Sequence, residues 1–166
     1  MAVRTLEDHE TALHRDIRLR ALKESPAAFG LTFEDESRQP LAYWEDQTQA
    51  VTDPARNAMF VAHDGDAQEM HGMIYALRAR DVSDGGRIGG MWVSPAHRRQ
   101  GIGGALLECA LIWAGENNLS QIGLWAPAAG GAAIALYRRA GFKETGIRNT
   151  MPGRPALEIV EMIYRG

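Results

Sequence analysis

The sequence of 166 residues contains a single cysteine, Cys109, and therefore cannot form an internal disulfide. A domain of this length buries enough of its own surface to be stable without a disulfide or a structural metal ion. A lone thiol is compatible with a reducing compartment, and we expect a cytoplasmic protein.

Long apolar runs are also missing. Residues 117–137 carry no charge, but the stretch contains Pro127 and several polar residues and glycines. A membrane-spanning helix needs about 20 predominantly apolar residues. Acidic side chains at Glu7 and Asp8 stand where a secretory signal would be apolar. We therefore expect neither membrane association nor export.

An excess of positive charge is absent as well, since 18 Lys and Arg face 21 Asp and Glu, for a formal charge of −3. Nucleic-acid-binding domains usually carry an excess of Lys and Arg. The basic clusters at 97–99 and 138–139 lack interleaved aromatic residues, which argues further against nucleic acid. The five histidines and the single cysteine lack the spacing of metal ligands, so we expect no metal site.

Apolar spacing of three and four predicts helices over about 10–24 and about 34–49 in the first third of the chain. Ser25-Pro26 ends the first helix. Thr32 is a candidate cap for the second, which Pro40 interrupts.

The rest of the chain predicts strands and helices in alternation. Strands are expected at 2–5, 58–62, 71–80, 87–93, 121–125, 142–148 and 157–164, and helices at 103–116 and 131–139. A turn at 83–86 separates two strands of a central antiparallel meander. This order predicts one α+β domain spanning residues 1–166.

The segment 93–104 carries the most informative pattern. A strand ends at Val93, and a helix begins after a loop with glycines at positions 101, 103 and 104. Glycines permit the backbone angles with which several N–H groups point to one place, and a helix N-terminus adds partial positive charge. The loop is therefore a candidate site for an anion such as pyrophosphate, although a tight strand-to-helix turn alone also explains the glycines.

Two common phosphate loops are excluded by spacing. No lysine follows the glycines, as a Walker loop requires, and Leu106 stands where a dinucleotide fingerprint needs Gly or Ala. Arg98 and Arg99 would add positive charge to a bound anion. Arg98 also fits a surface ion pair.

Two motifs in order suggest a family. Residues 93–103 fit VxPxxRxxGxG, which resembles the acyl-CoA-binding motif of the GCN5-related N-acetyltransferases (GNAT). Residues 133–142 resemble the AxxLYxxxGF segment of the same family. The order of elements agrees along nearly the whole chain, and residues 21–30 resemble an N-terminal signature of one bacterial subgroup.

The resemblance implies a mixed, mostly antiparallel sheet of about six to seven strands with about four helices. Acyl-CoA would lie in a splayed opening between the fourth and fifth strands, here 87–93 and 121–125. The N–H of Val93 would polarise the thioester carbonyl. The residues expected to bind the cofactor are Met91, Trp92, Val93, Arg98, Arg99, Gln100, Gly101, Ile102, Gly103, Gly104, Ala133 and Tyr137.

The resemblance also implies that Tyr137 is the catalytic acid, which donates a proton to the departing thiolate of coenzyme A. A phenol with an ordinary pKa near 10 is protonated at neutral pH. The alternative is a core tyrosine whose hydroxyl reaches a backbone acceptor. Gly130 departs from the family, which usually has Asn there to contact the pantetheine, and the departure would weaken cofactor binding or require a water.

The amine must also lose a proton. Many family members carry a Glu on the fourth strand, but residues 88–92 contain no acid. Glu34 is the substitute that we expect to be catalytic, with Asp35, Glu36, His71 and His97 as further candidates. Alternatively, these acids only favour a helix N-terminus, and the histidines are structural.

These observations predict an acetyl-CoA-dependent N-acetyltransferase that moves an acetyl group directly to a primary amine of a small molecule or peptide. Cys109 lies within a predicted helix and is a poor candidate for a covalent nucleophile. The alternatives are a non-catalytic acyl-CoA-binding or sensor domain and an interaction module without ligand. The sequence leaves the acceptor open, and either a monomer or a homodimer is compatible with it.

Overall fold

The computed structural model of the chain describes residues 1–65, 69–79 and 85–166. Within these residues the chain forms seven strands and five α-helices. The strands are β1 (Ala2–Thr5), β2 (Asn57–His63), β3 (Met70–Arg78), β4 (Gly85–Val93), β5 (Gln121–Pro127), β6 (Lys143–Met151) and β7 (Arg154–Arg165). The helices are α1 (Thr11–Glu24), α2 (Phe33–Ser37), α3 (Leu41–Thr52), α4 (Ile102–Glu116) and α5 (Gly131–Arg139). Short 3-10 turns cover Pro26–Ala28 and Pro95–His97.

The strands form one mixed sheet in the order β1-β2-β3-β4-β5-β7-β6. All neighbouring pairs are antiparallel except β4 and β5, which run parallel and are joined by the crossover helix α4. Their pairing covers only Gly85–Arg87 against Gln121–Gly123, although both strands continue beyond it. The sheet is therefore open between β4 and β5, and the predicted fold class is confirmed.

A bulge bends β4 beside this opening. Met73 pairs with Trp92 and Tyr75 with Gly89, so one β3 residue faces two β4 residues between these pairs. Gly90 lies at the bulge with a φ of +61°, and a Cβ atom there would be 2.2 Å from the ring of Tyr75. Only glycine combines the left-handed backbone with this close approach.

Apolar residues are buried on both faces of the sheet. Helix α4 places Leu106, Leu107 and Ala110 on one face, as their spacing of three and four predicts. Ile17 of α1 and Trp44 of α3 are buried on the N-terminal side of the fold. No helix in the described ranges is long and apolar enough to cross a membrane.

The segment that follows α1, residues 26–30, links the two halves of the open sheet. Its 3-10 turn contacts β5, and the guanidinium of Arg154 donates a hydrogen bond to the carbonyl oxygen of Pro26. A Cβ atom on Gly30 would lie 3.2 Å from the carbonyl oxygen of Pro152. The 26–30 segment thus reaches from α1 to the turn between β6 and β7.

Few boundaries of the predicted helices and strands differ from those in the structure. Pro40 separates α2 from α3 completely, which gives five helices rather than about four. The hydroxyl of Thr32 accepts the backbone N–H of Asp35 at 3.2 Å, as predicted for a helix cap. Strand β4 begins at Gly85. The first half of the predicted turn at 83–86, and the end of the predicted strand at residue 80, lie outside the described residues.

Candidate active site

A cavity of about 700 Å³ occupies the opening between the last residues of β4, the loop before α4, and α5. The predicted cofactor residues that line it are Met91, Trp92, Val93, Arg98, Arg99, Gly101, Ile102, Gly103, Gly104 and Ala133. Gln100 and Tyr137 are not among its lining residues. Ser25 and Ala28 line it as well, and both lie in the 21–30 segment that resembles a subgroup signature, although they were not among the predicted cofactor residues.

One edge of β4 is free along this cavity. The pairing with β5 ends at Arg87, so no strand of the described part of the chain pairs with residues 88–93 on that side. An extended ligand can form strand-like hydrogen bonds with such an edge.

The loop before α4 presents backbone donors. Arg99 and Gly101 have φ angles of +66° and +83°, and no side chain of a described residue caps the helix. Ala105 is the first residue whose N–H bonds back, to the Gly101 carbonyl oxygen at 3.0 Å. The N–H groups of 102–104 therefore lack acceptors within the helix, and the space around Gly104 is open. This arrangement suits an anion.

Arg98 forms the ion pair that the sequence left as an alternative. Its Nη2 lies 2.6 Å from Glu24 Oε2, which also accepts the Trp92 Nε1–H at 3.0 Å. Its Nε donates to the Val93 carbonyl oxygen at 3.0 Å. Burial alone would raise the pKa of Glu24, but hydrogen bonds from Ser25, Trp92 and Arg98 outweigh it and lower that pKa. Arg98 thus ties the loop to α1, whereas Arg99 lines the cavity and forms no ion pair within the described residues.

Tyr137 lies on α5, one turn after Ala133, and is 6% exposed. Its ring packs edge-on against Phe142 at 5.8 Å. Burial raises the pKa of Tyr137 to about 12, so the phenol is protonated at neutral pH. Within the described residues, its hydroxyl makes no hydrogen bond.

The acids of α2 differ in exposure. Glu34 and Asp35 are exposed, and neither lines the cavity in the sheet opening. Glu36 is 5% exposed and accepts a hydrogen bond from the Tyr43 hydroxyl at 2.8 Å. Glu34 is therefore not among the predicted site residues that line this cavity. Glu36 follows Phe33 by three positions, and this helical spacing was the available signal for its burial.

Glu36 lies in a second pocket of about 210 Å³. Its other lining residues include His14, Arg18, Tyr43, Trp44 and Tyr75. Since the ring of Tyr75 packs against Gly90, one wall of this pocket adjoins the bulge of β4 that leads into the cavity. The pocket combines a carboxylate with aromatic walls.

The two candidate histidines lie together. His97 lines the cavity, and its ring stacks on that of His71 at a centroid distance of 3.8 Å. His71 is 6% exposed, and its burial, with the neighbouring charge of His97, lowers the pKa of His71. Asp64 lies beside both rings, a grouping that spacing along the sequence did not reveal.

Two further sequence features have a structural explanation. Burial, with the charge of Glu108, raises the pKa of Cys109, so the side chain is a thiol and a weak nucleophile. The N–H of Gly130 donates to the Pro127 carbonyl oxygen at 2.8 Å, and a Cβ atom on Gly130 would lie 3.0 Å from that oxygen. This tight turn favours glycine over asparagine.

Comparison with known protein families gives a match over most of the chain. The model of the acetyltransferase (GNAT) family matches residues 19–142. No curated protein matches the chain by sequence.

Solved structures share the fold at low sequence identity. The ribosomal-protein-alanine N-acetyltransferase from Brucella melitensis superposes with a TM-score of 0.80 and 19% identity, over 100% of both chains. A putative acetyltransferase from Salmonella typhimurium, solved with its cofactor acetyl-CoA, has a TM-score of 0.80 and 18% identity, over 99% of this chain and 93% of its own. The spermidine N-acetyltransferase from Vibrio cholerae, solved with CoA and spermine, has a TM-score of 0.76 and 17% identity, over 99% of this chain and 94% of its own.

The family match contains both sequence motifs, at 93–103 and 133–142. The open sheet and the loop before α4 are the structural counterparts of the first motif. The chain therefore belongs to the GNAT family of acetyltransferases.

Proposed function

We propose that the protein transfers an acetyl group from acetyl-CoA directly to a primary amine of a small molecule or peptide. The observation that carries this proposal is the single cavity that joins the free edge of β4 to the unpaired N–H groups at the start of α4. A cofactor with an extended amide arm and a pyrophosphate matches this cavity, because the arm suits the strand edge and the pyrophosphate suits the N–H groups. The relative from Salmonella typhimurium has acetyl-CoA as its cofactor, which supports the same co-substrate here.

In the proposed complex, the N–H groups of 102–104 and the charge of Arg99 bind the pyrophosphate. The pantetheine arm extends along residues Met91–Val93. The N–H of Val93 donates to the thioester carbonyl and stabilises the negative charge that develops there.

The chemistry then needs two proton transfers. The neutral amine attacks the thioester carbon, a C–N bond forms, and the C–S bond breaks. The thiolate takes the proton of the Tyr137 hydroxyl. The proton that the amine releases passes through water or a carboxylate and restores the phenol. Cys109 has no part in this route.

We place the amine acceptor in the pocket at Glu36. A cationic amine binds favourably to a buried carboxylate between aromatic walls. Glu36 is therefore our first choice among the acids of α2, and Glu34, at the exposed start of the same helix, is the second. The Vibrio cholerae relative, solved with spermine, is consistent with a polyamine among the acceptors to test.

The test combines calorimetric titration with acetyl-CoA and CoA with an assay of free-thiol release over a panel of amines. We expect binding of both ligands and thiol release that depends on the amine. Binding without release for any polyamine, amino acid, aminoglycoside or peptide N-terminus would favour the non-catalytic alternative. A lack of binding would contradict the proposed role of the loop at 98–104.

A further inference from the structure

Three potential metal ligands converge at one edge of the sheet. Asp64 follows β2, His71 lies in β3, and His97 lies in the 3-10 turn after β4. One ligand atom from each residue lies within 4.8 Å of the other two. The pairing of β2, β3 and β4 brings these positions together from distant parts of the sequence.

The distances between the ligand atoms are compatible with a shared ion. Asp64 Oδ2 lies 3.5 Å from His71 Nε2 and 4.0 Å from His97 Nε2. Hydrogen bonds between such atoms are about 2.7–3.2 Å long, so the carboxylate bonds to neither ring. Two ligand atoms about 2.1 Å from a tetrahedral Zn²⁺ lie about 3.4 Å apart, which is close to the observed separations.

A neighbouring hydrogen bond orients the ring of His97. Ser94 Oγ lies 2.7 Å from His97 Nδ1, which leaves the Nε2 of His97 facing Asp64. The backbone N–H of Ser94 also donates to the His71 carbonyl oxygen at 2.8 Å, which pairs the backbone of the two segments that carry the histidines. Metal-binding histidines are commonly fixed through the other ring nitrogen, as His97 is here.

His71 itself points to a missing partner. Its side chain is 7% exposed, and its buried Nδ1 has no hydrogen-bond partner among the described residues. Buried polar atoms are nearly always paired. When Nε2 binds the ion, Nδ1 carries the ring proton, and a water is the partner that it calls for.

The charges around the cluster are compatible with a cation. The N-terminal amino group of Met1 lies 3.7 Å from Asp64 Oδ1, the oxygen that does not face the histidines. Glu69 acts electrostatically on His71, as does the cation of Arg20. Arg20 is held at 3.0 Å from the Asp16 carboxylate, which offsets its charge.

We propose that Asp64, His71 and His97 form a binding site for a divalent transition-metal ion such as Zn²⁺. Two imidazoles and one carboxylate are ligands that suit Zn²⁺ and its neighbours, whereas Mg²⁺ and Ca²⁺ prefer oxygen ligands alone. The three protein ligands leave a fourth position for water. Because His97 directly precedes Arg98 and lines the cofactor cavity, a bound ion would fix the turn that leads into the anion-binding loop. The site does not depend on the acetyl-transfer proposal.

The test measures Zn²⁺ affinity on untagged, metal-free protein by competition with a chromophoric chelator. We expect one Zn²⁺ per chain, no competition by Mg²⁺, and an absorption spectrum of low coordination number with Co²⁺. Asp64→Asn and His71→Gln should each weaken Zn²⁺ binding by at least about tenfold. Asp64 is exposed, so its variant remains informative if His71→Gln fails to fold.

His9→Gln is the matched control. His9 is an exposed histidine with Glu7 and Asp8 at 3.5 and 3.7 Å, and its replacement should leave the affinity unchanged. Equal affinity in wild type and Asp64→Asn would overturn the proposal. An equal loss of affinity in His9→Gln would do the same, because it would show adventitious binding to surface histidines.

Discussion

Tyr137 carries a proton that neither the solvent nor the protein removes at neutral pH, since burial raises the pKa of its phenol to about 12. Tyr137→Phe preserves the packing against Phe142 but removes the hydroxyl. If Tyr137 protonates the leaving thiolate, kcat should fall about 10²-fold or more, while the Kd for CoA remains nearly unchanged.

Tyr164→Phe is the control for this substitution, because the ring of Tyr164 packs against the same Phe142 at 5.5 Å. It should leave kcat unaltered. If Tyr137→Phe turned over as fast as the wild type under conditions in which the chemical step limits the rate, Tyr137 would not be the acid.

Two acidic residues of α2, Glu36 and Glu34, can be compared by single substitutions. Glu36→Gln retains a hydrogen-bond acceptor for Tyr43 but removes the charge proposed to bind the amine. We expect KM for the amine to rise about tenfold or more, consistent with the loss of a charge-assisted contact. Glu34→Gln should have little effect, because Glu34 is exposed. The opposite result in steady-state kinetics would assign the amine to Glu34.

At the scale of elements, the bulge of β4 depends on one glycine. Gly90→Ala would place a methyl group in the ring of Tyr75 and force a left-handed φ on alanine. We expect a loss of about 2 kcal/mol or more in the free energy of unfolding, measured with urea. Gly89→Ala is the matched control, since a Cβ atom there has open space, and it should cost little or nothing.

The start of α4 allows folding and ligand binding to be separated. Gly104→Asp adds a negative charge in open space at a helix N-terminus, which should leave the fold stable or stabilise it slightly. The same charge should repel the pyrophosphate and weaken CoA binding about tenfold or more. Gly104→Asn has the same size without the charge, so calorimetry should show a much smaller change for it. Equal CoA affinities for the two variants would place the phosphates elsewhere.

For the whole molecule, acid stability depends on the buried His14. Its Nδ1 and Nε2 lie 2.9 Å from Thr48 Oγ1 and 3.0 Å from the Tyr75 hydroxyl, and burial, with the charge of Arg18, lowers the pKa of His14 to about 4. The unfolded chain takes up this proton near pH 6.5, its ordinary pKa. The stabilisation is therefore complete above pH 6.5 and is lost as the pH falls towards 4, by about 3 kcal/mol at most.

His14→Gln keeps groups that donate and accept hydrogen bonds but cannot titrate in this range. Its free energy of unfolding should change less between pH 6.5 and 4 than that of the wild type, as urea titrations at several pH values would show. The exposed His9→Gln should reproduce the wild-type curve. Parallel curves for all three proteins would contradict the role of His14.

The order of elements, the fold class and the two motifs were predictable from the sequence because they depend on short-range patterns. The spacing of Leu106, Leu107 and Ala110 marks α4, and a proline separates α2 from α3. The burial of Glu36 depends on packing between α2 and its neighbours. The meeting of Asp64, His71 and His97 depends on strand pairing across long sequence separations. Local sequence patterns carry little information about the burial of Glu36 or about which residues meet through strand pairing.

The 26–30 segment bridges the opening where, among the described residues, β4 and β5 no longer pair beyond Arg87: it contacts β5 and the turn between β6 and β7. Because this segment lies outside the sheet, its length can vary without disturbing any strand register. Under the proposed function, insertions or deletions there would change the size of the acyl chain that the opening admits, so donor selectivity could evolve separately from the sheet.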